Sequence, residues 1–514
     1  VENVPKPVLR KVAERCTWTD SGSYLDHFDQ LALGPNLVTM IPHSMLRVEV
    51  MGLQASVSRE PTAAELDRMG DLVEKGMREG YVGFSTDALP FHFLANQPNT
   101  HKQIPTQFAP FRELKALTAI VRRWGRVWQA TPPKDDKLAV FRNFLLTSGR
   151  LYGRQLKVTA VAAIDVATNA SIVKLGRLLS RILNSRLLKG HFRLQALAAP
   201  FKVWSDGVVT PIAEEIPELR RLNECDLEDR EARARIMHDP AWVADFRRMW
   251  YRGKRGFTLA NLMRRLRRED NVLSRRLDDM TIDTCPQAEW NGQRMDTIYH
   301  RLLRWQASGE GAGSAAEAEA FAGFPRPCDD ADFFLHLLRR FDTDLRWFTV
   351  TANRDPAVVK SLLFDPLLLP GFNDSGAHLT NMAFYDGNLR MLKIAQADGL
   401  EKVALAVHRL TREPAEFFGL NVGTVEVGAQ ADLAVVDPLA LQTWDPEATI
   451  EYRYRECFEH HQLVNRPQGV VSQVLINGRL AWQDGHYVPA FGRERFGRLL
   501  RHREHPAEQL RAAA

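Results

Sequence analysis

The chain is poor in cysteine, has no long apolar run and carries little excess charge. Of its 514 residues only five are cysteines, they are scattered and none forms a C-x-x-C pair, which excludes a disulfide framework or a thiolate zinc knuckle. No segment approaches the roughly 18 to 20 apolar residues of a membrane-spanning helix, and the start, VENVPKPVLRK, lacks the apolar core of a signal peptide. With a net charge of only +5, we expect a cytoplasmic protein that binds neither nucleic acid nor a membrane.

Short β-type runs alternate with amphipathic helical stretches along most of the chain, which predicts a βα architecture with a parallel sheet. No G-x-G-x-x-G turn follows an early strand, so the pattern favours a TIM-type (β/α) barrel over a doubly wound sheet. A helix is predicted between Thr62 and Gly80. The predicted strands are NLVTMI (36–41), YVGFS (81–85), RVWQA (126–130), LKVTAVAA (156–163), FRLQALA (192–198), RWFTVT (346–351) and LLLPGFN (367–373).

Changes in composition divide the chain further. The arginine-dense stretch within 225–280 and the low-complexity run SGEGAGSAAEAEA (308–320), which reads as a linker, predict a helical insertion at about 225–330 in a barrel spanning 1–420. Interleaved acidic residues make a solvated helix face a better interpretation of the arginines than a nucleic-acid surface. Short β runs with Gly and Asn-Gly turns over 421–495 predict part of a small β-sandwich domain, followed by a charged tail at 496–514.

The stretch GFNDSGAH (371–378) contains the strongest catalytic candidate. If LLLPGFN is the last barrel strand, Asp374 lies at its C-terminal end, the face on which TIM-barrel enzymes carry their catalytic residues. A carboxylate there can bind a divalent metal ion and accept a proton from metal-bound water. The pattern alone equally allows a helix N-cap made by Asp374 or Ser375.

Five segments, in this order, resemble the amidohydrolase superfamily and within it the N-acyl-D-amino-acid deacylase branch: MIPHSMLRVEVMG (40–52), EGYVGFSTDALPF (79–91), LLFDPLLLPGFNDSGAH (362–378), RLTREPAEFFGLNVGTVEVGAQADLAVVDP (409–438) and NRPQGVVSQVLINGRLAW (465–482). The resemblance implies a zinc-dependent barrel joined to a small β domain. It implies hydrolysis of the amide bond of an N-acyl-D-amino acid or similar small amide by metal-activated water, with Asp374 as metal ligand and proton shuttle. Two alternatives stay open: a cyclic substrate of the hydantoin or dihydropyrimidine kind, and a catalytically silent barrel that binds a partner.

The chain departs from the pattern of this family in its histidines. No His-x-His occurs anywhere in it, so we expect that pair and the remaining ligands upstream of residue 1, in a longer natural chain. Where the family carries a metal-binding histidine after a central strand, KVTAVAAIDVATN has no histidine and Asp165 as its only acidic residue, which makes Asp165 a further candidate for substrate contact or for support of the catalytic group. Since imidazole is the usual neutral zinc ligand, the number of metal ions, one or two, stays open.

Further residues are candidates for substrate contact or for support of the catalytic group. His43 follows a predicted strand, and a substrate-side role competes with a structural hydrogen bond. His378 would share a face with Asp374 if a helix begins there, and could orient it. Ser85 ends a strand with Thr86 and Asp87 and could line the pocket. Lys202 could pair with a substrate carboxylate, although an exposed lysine is the more common interpretation.

Overall fold

A parallel sheet of six strands forms the centre of the molecule. The computed structural model describes residues 4–94, 98–134, 136–169, 171–252 and 272–505. Numbered in chain order, the parallel strands are β1 (Met40–Pro42), β2 (Gly83–Thr86), β3 (Val127–Ala130), β4 (Lys157–Ala163), β5 (His191–Ala196) and β9 (Leu368–Pro370), and they are hydrogen-bonded in that order. All seven predicted strands form, six of them in this parallel sheet, and the architecture is that of a TIM-type barrel.

Helices alternate with these strands, as the βα pattern predicts. In the described part of the chain no helix is both long and apolar enough to cross a bilayer. Up to β5 the helices are α1 (Lys6–Glu14), α2 (Ser21–Gln30), α3 (His43–Met51), α4 (Leu53–Ser56), α5 (Ala63–Glu79), α6 (Phe111–Arg123), α7 (Lys137–Phe144), α8 (Gly149–Tyr152) and α9 (Ser171–Leu183).

Helix α5 shows how the sequence sets these elements. The Thr62 hydroxyl accepts a hydrogen bond from the Glu65 amide while the Glu65 carboxylate accepts one from the Thr62 amide, which is a capping box. The apolar face buries Met69 and Val73 against the sheet. Gly80 ends the helix at φ 102°, in the left-handed region where glycine is favoured. The helix predicted between Thr62 and Gly80 is confirmed.

Between β5 and β9 the chain leaves the parallel sheet and forms a second layer with its own core. An antiparallel sheet in the order β6-β8-β7 consists of β6 (Phe201–Asp206), β7 (Met280–Thr284) and β8 (Arg346–Ala352). Its helices are α10 (Pro217–Asn223), α11 (Arg230–His238), α12 (Pro240–Tyr251), α13 (Met295–Ser308), α14 (Ala315–Ala322) and α15 (Asp330–Phe341). A core rich in aromatic side chains joins them, including Trp242, Phe246, Trp250, Phe334 and Trp347.

This layer corrects the predicted sheet of one strand. RWFTVT forms a strand, but β8 pairs antiparallel with β6 instead of joining the barrel, because an apolar run encodes a strand without encoding its neighbours. The antiparallel sheet extends from residue 201 to residue 352, so the predicted insertion at about 225–330 lies within the range of this layer. Much of the arginine-dense stretch, residues 253–271, lies outside the described residues.

The run SGEGAGSAAEAEA, predicted to be a linker, instead contains helix α14. Ser314 caps the helix by accepting a hydrogen bond from the Glu317 amide, and alanine is the strongest helix former. The Glu317 carboxylate is buried and accepts hydrogen bonds from Arg301 and from the Trp290 indole, at 2.6 and 2.8 Å. A buried, fully paired carboxylate fixes this segment, and low sequence complexity alone does not reveal such a partner.

After β9 the chain forms the rest of the barrel and a small β domain. The elements are α16 (Pro356–Leu363), which precedes β9, then α17 (Gly387–Gln396), α18 (Leu400–Leu410), α19 (Arg412–Phe418), β10 (Leu433–Val436), α20 (Pro438–Thr443), β11 (Ile450–Arg455), β12 (His460–Asn465), β13 (Val471–Ile476), β14 (Arg479–Gln483) and β15 (His486–Tyr487). The antiparallel sheet β10-β13-β14-β15 confirms the predicted β domain. Its β13–β14 turn is Asn477-Gly478, both at positive φ.

The segment after the β domain returns to the barrel. Leu37 and Leu499 form a parallel bridge, and Leu499 and Leu500 are buried. The predicted charged tail is therefore packed as far as residue 505, and residues 506–514 lie outside the described part of the chain.

Candidate active site at the sheet mouth

One cavity of about 890 Å³ opens where the C-terminal ends of the parallel strands meet. In a (β/α) barrel this is the face that carries the catalytic residues. The polar residues at strand ends that line it are Ser85, Thr86 and Asp87 at the end of β2, Gln129 and Thr131 at β3, Gln195 on β5, and Asn373 and Asp374 after β9.

Much of the remaining wall is apolar. The rings of Phe201 and Phe372 are nearly parallel, with 6.3 Å between their centroids. The other apolar residues include Ile164, Ile172, Val272, Met382 and Phe418. The cavity therefore combines a polar floor with an apolar wall, as small-molecule sites do.

Asp374 lies just beyond β9 with its carboxylate in the cavity. Its backbone has φ 59°, a left-handed conformation uncommon outside glycine that concentrates at functional sites. The carboxylate is 39% exposed, and its Oδ2 lies 3.6 Å from Nε2 of His378, whose side chain is 7% exposed. The structure thus brings together two of the predicted site residues, one accessible and one buried.

The geometry around Asp374 argues against its role as a helix cap. The Asn373 carboxamide oxygen accepts a hydrogen bond from the Ser375 amide at 3.0 Å, and the Ser375 hydroxyl accepts one from the Phe384 amide at 2.6 Å. These neighbours shape the turn. His378 reaches Asp374 through that turn, since helical structure resumes only at Phe384.

A second acid–base pair, Asp87 and His92, lies on another part of the cavity wall. Nδ1 of His92 makes a short contact to Oδ2 of Asp87. Oδ1 of Asp87 accepts hydrogen bonds from the Thr131 hydroxyl at 2.8 Å and from the Leu89 amide at 2.9 Å. The Asp87 carboxylate thus has three polar contacts.

The cavity also contains a mixed-charge pair, Lys134 and Glu215. The Lys134 ammonium lies 2.9 Å from Oε1 of Glu215, and Oε2 accepts a hydrogen bond from the Val272 amide at 2.8 Å. Glu215 follows β6 whereas Lys134 follows β3, so this pair connects the second layer to the barrel mouth.

Behind Thr86 lies a buried cluster of His43, Arg47 and Glu113. Nε2 of His43 is 2.7 Å from one Glu113 oxygen, and Arg47 pairs with the other. Burial lowers the pKa of His43, although Glu113 opposes that shift, and its Nδ1 lies 3.4 Å from the Thr86 hydroxyl oxygen. Of the two alternatives for His43, the structure favours the structural hydrogen bond, because Thr86 and not His43 faces the cavity.

Of the other predicted site residues, one lines the cavity and two do not. Ser85 lines the cavity. Lys202 lies elsewhere: its ammonium is 3.3 Å from Glu447 and stacks 4.1 Å from the centre of the Phe348 ring, so the structure does not bring it into the site. Asp165 donates its backbone amide to Asn353 at 2.9 Å, and its two sequence neighbours line the cavity while it does not.

The donors in the described residues do not complete a metal site. A catalytic zinc ion takes three protein ligands, and Asp374 with His378 supplies two of suitable type. Across the described ranges no group of three or more His, Cys, Asp or Glu side chains is placed to hold a metal ion.

Sequence reasoning missed His92, Lys134 and Glu215 as cavity residues. His92 stands seven residues after Ser85 in DALPFHF, and only the fold of the loop returns it to the strand end. Lys134 and Glu215 are 81 positions apart. For His92 the available signal was its position shortly after a predicted strand end, where βα loops carry function.

A (β/α) barrel with an accessory β domain, and with Asp374 and His378 at the C-terminal ends of its strands, has its polar candidate residues on the face where barrel enzymes carry their active sites. Residues 373–481 match the model of the amidohydrolase family. The chain is 30% identical to uncharacterized proteins of Mycobacterium bovis and Mycobacterium tuberculosis, across 98% of this chain and 77% of each relative. The chain belongs to the amidohydrolase family.

The fold agrees with this assignment. The structure of N-acyl-D-glutamate deacylase from Bordetella bronchiseptica, in complex with zinc and a phosphonate inhibitor, is similar to the chain at a TM-score of 0.50 and 19% identity, over 96% of this chain and 78% of that one. The similarity establishes a shared fold, as expected for the deacylase branch of the superfamily.

Proposed function

We propose that the protein hydrolyses the amide bond of an N-acyl-D-amino acid or a similar small amide, with Asp374 as the group that accepts a proton from the attacking water. The observation that supports this most directly is the position of Asp374. It has an exposed carboxylate on a strained backbone at the end of a barrel strand, inside the mouth cavity.

The two kinds of cavity wall support a small amide as substrate. The apolar side, with Phe201 and Phe372, provides a surface for an acyl group. The polar strand ends provide donors and acceptors for the amide, among them the Gln129 and Gln195 side chains. Gln195 donates to the Thr159 hydroxyl at 3.1 Å, which holds its carboxamide in place.

Asp374 and His378 act as one unit in this proposal. His378 is buried beside the carboxylate and restricts its rotation, while Asp374 holds the water against the carbonyl carbon and accepts its proton as the C–O bond forms. A positioned carboxylate of this kind contributes about 10²- to 10⁴-fold to the rate.

A divalent metal ion, with zinc as the first candidate, belongs to the proposal for the whole enzyme. One oxygen of Asp374 and one nitrogen of His378 can serve as ligands, and the remaining ligands would come from outside the described residues. Elemental analysis tests this part on its own. Near-stoichiometric zinc in the wild type that is lost in Asp374→Ala supports the metal site. If a metal-free protein hydrolyses amides, the metal is not needed for the reaction and the proposed role of Asp374 still stands.

A panel of N-acyl amino acids of both configurations, neutral amides and cyclic amides tests the reaction. We expect turnover of N-acyl-D-amino acids by the wild type and its loss in Asp374→Asn. Asp398→Asn is the matched control, since Asp398 is exposed and pairs with Lys360 away from the cavity. No turnover of any amide by the metal-loaded wild type would contradict the proposal and favour a catalytically silent barrel.

A further inference from the structure

We infer that Lys134 determines which substrates this site accepts, by pairing with a carboxylate group next to the scissile amide. This inference rests on the proposed amide hydrolysis, and it restricts the substrate to acyl compounds that carry a free carboxylate. Among the described residues that line the mouth cavity, Lys134 is the single lysine or arginine. It is therefore the permanent cation that an anionic group meets in the described part of this cavity.

The ion pair that Lys134 makes leaves it able to bind a second anion. Its ammonium group carries three N–H donors, and one of them is used by Oε1 of Glu215 at 2.9 Å. The other two have no acceptor among the described residues. The Lys134 side chain is 23% exposed, whereas that of Glu215 is 7% exposed. The ammonium, and not the carboxylate, is thus the accessible member of the pair.

Two neighbours hold Lys134 in place before a substrate arrives. Glu215 is itself anchored, because its Oε2 accepts a hydrogen bond from the Val272 amide at 2.8 Å. The ammonium also lies 5.5 Å from the centre of the Phe91 ring, within the range of a cation–π interaction. A flexible lysine loses rotamer entropy when it binds a ligand. A side chain that is already held at two points therefore binds a carboxylate at a lower entropic cost.

The carboxylates of the cavity wall offer no comparable site to a cationic substrate. Both oxygens of Glu215 accept hydrogen bonds from the protein, and both oxygens of Asp87 also have protein partners. Asp374 is accessible, but the proposed reaction uses it. The hydrogen-bonding capacity that remains for the rest of the substrate therefore suits a negative group better than a positive one.

Lys134 and Asp374 lie at different points of the cavity mouth. Lys134 follows β3 and Asp374 follows β9, and β4 and β5 lie between these strands in the sheet. In an N-acyl-amino acid the carboxylate is attached to the carbon that bears the amide nitrogen, so the two groups of the substrate are also separate. A substrate with its amide at Asp374 and its carboxylate at Lys134 has its orientation fixed across the mouth.

A matched pair of substrates tests this role, namely the best N-acyl-D-amino acid and its carboxamide, which has a similar shape but no charge. With release of the acyl group as the readout, we expect Lys134→Met to raise KM for the acid about tenfold or more, because a charge-assisted hydrogen bond is lost. KM for the carboxamide and kcat for both should change by less than about threefold, as expected when only substrate binding is affected. An unchanged KM for the acid, or an equal rise for both substrates, would overturn the inference. Lys137→Met, at the exposed first residue of α7, is the matched control and should change neither KM.

A double variant separates the loss of Lys134 from the exposure of its partner. Lys134→Met leaves the Glu215 carboxylate without its cation, and a bare carboxylate repels an anionic substrate. Adding Glu215→Gln to Lys134→Met removes this repulsion. We expect KM for the acid to stay at least about fivefold above the wild-type value in the double variant. A return to the wild-type KM would overturn the inference, because the acid would then bind without the ammonium.

Direct binding separates this inference from the proposed function. If the wild type hydrolyses no amide, the proposed function fails, and isothermal titration calorimetry with N-acetyl-D-phenylalanine and its carboxamide still tests Lys134. We expect the wild type to bind the acid at least about tenfold more tightly than the carboxamide, and Lys134→Met to bind the two equally. Equal affinity of the wild type for both probes, or no binding of either, would overturn the inference.

Discussion

Asp374 and His378 place a carboxylate oxygen and an imidazole nitrogen 3.6 Å apart, four residues apart in the chain and without an intervening helix. The histidine is nearly buried while the carboxylate reaches the cavity. A turn shaped by Ser375 and Asn373 brings them together. The pair therefore combines an accessible reactive group with a fixed neighbour.

Removal of this neighbour should weaken catalysis more than stability. We expect His378→Gln to lower kcat/KM on the amide substrate by about tenfold or more, because the carboxylate loses the group that restricts it. The control is His408→Gln, at an exposed position of α18. Steady-state kinetics beside thermal denaturation measures both effects, and unchanged kcat/KM in His378→Gln would contradict the pairing.

The buried cluster of His43, Arg47 and Glu113 should matter chiefly for stability. Glu113→Gln leaves Arg47 as an uncompensated buried charge, which should lower the free energy of unfolding by about 3 kcal/mol or more. Glu447→Gln is the matched control. Glu447 pairs with an arginine and a lysine, but its side chain is 44% exposed, so this substitution should lower the free energy of unfolding by less than about 1 kcal/mol. Denaturant unfolding of both variants checks this, and equal costs would contradict it.

His502 should make stability depend on pH. Burial, with Arg126 and Lys157 nearby, lowers the pKa of His502 to about 3, so the folded protein keeps it neutral while the unfolded chain binds a proton below about pH 6.5. The stability that depends on neutral His502 is fully present above about pH 6.5. As the pH falls below that value, the free energy of unfolding decreases by up to about 1.4 kcal/mol per pH unit. His502→Gln should show a shallower loss of unfolding free energy between pH 6 and pH 4. Parallel curves for the two proteins would contradict this.

Gly83 should tolerate no side chain. A Cβ there would lie 2.2 Å from the Val127 carbonyl oxygen, inside the β2–β3 pairing that supports Ser85 and Thr86 at the mouth. We expect Gly83→Ala to lower the free energy of unfolding by at least about 2 kcal/mol. Gly387→Ala, at the open start of α17 with no atom within 4 Å, should be neutral or slightly stabilising. Similar melting temperatures for both variants would contradict the packing.

The sequence predicts the parallel strands well because each is a short apolar run bounded by a turn or a helix signal. It predicts Asp374 because a strand end marks the catalytic face of a barrel. RWFTVT shows the limit of sequence-based prediction, because the segment forms a strand as predicted but joins a different sheet. Its partners lie far away in the chain, as Asp206 does for Arg346 at a separation of 140 residues, and such partners leave no local pattern.

The site shows the same limit. His378 could be placed near Asp374 from its spacing, although a turn and not a helix does so. His92 could not be placed, because its approach to Asp87 depends on how a long loop folds back. Lys202 looked available for a substrate, and its partner Glu447 lies too far along the chain to be foreseen.

The hydrolysis rate of Asp374→Asn tests the central claim most directly. Asparagine fills the same space and tolerates the left-handed backbone at this position, so the fold should persist, as circular dichroism and thermal denaturation would show. We predict that kcat/KM on the best N-acyl-D-amino acid falls at least about 100-fold relative to the wild type and to Asp398→Asn. A folded Asp374→Asn protein with wild-type kcat/KM would contradict the assignment of this aspartate as the catalytic group.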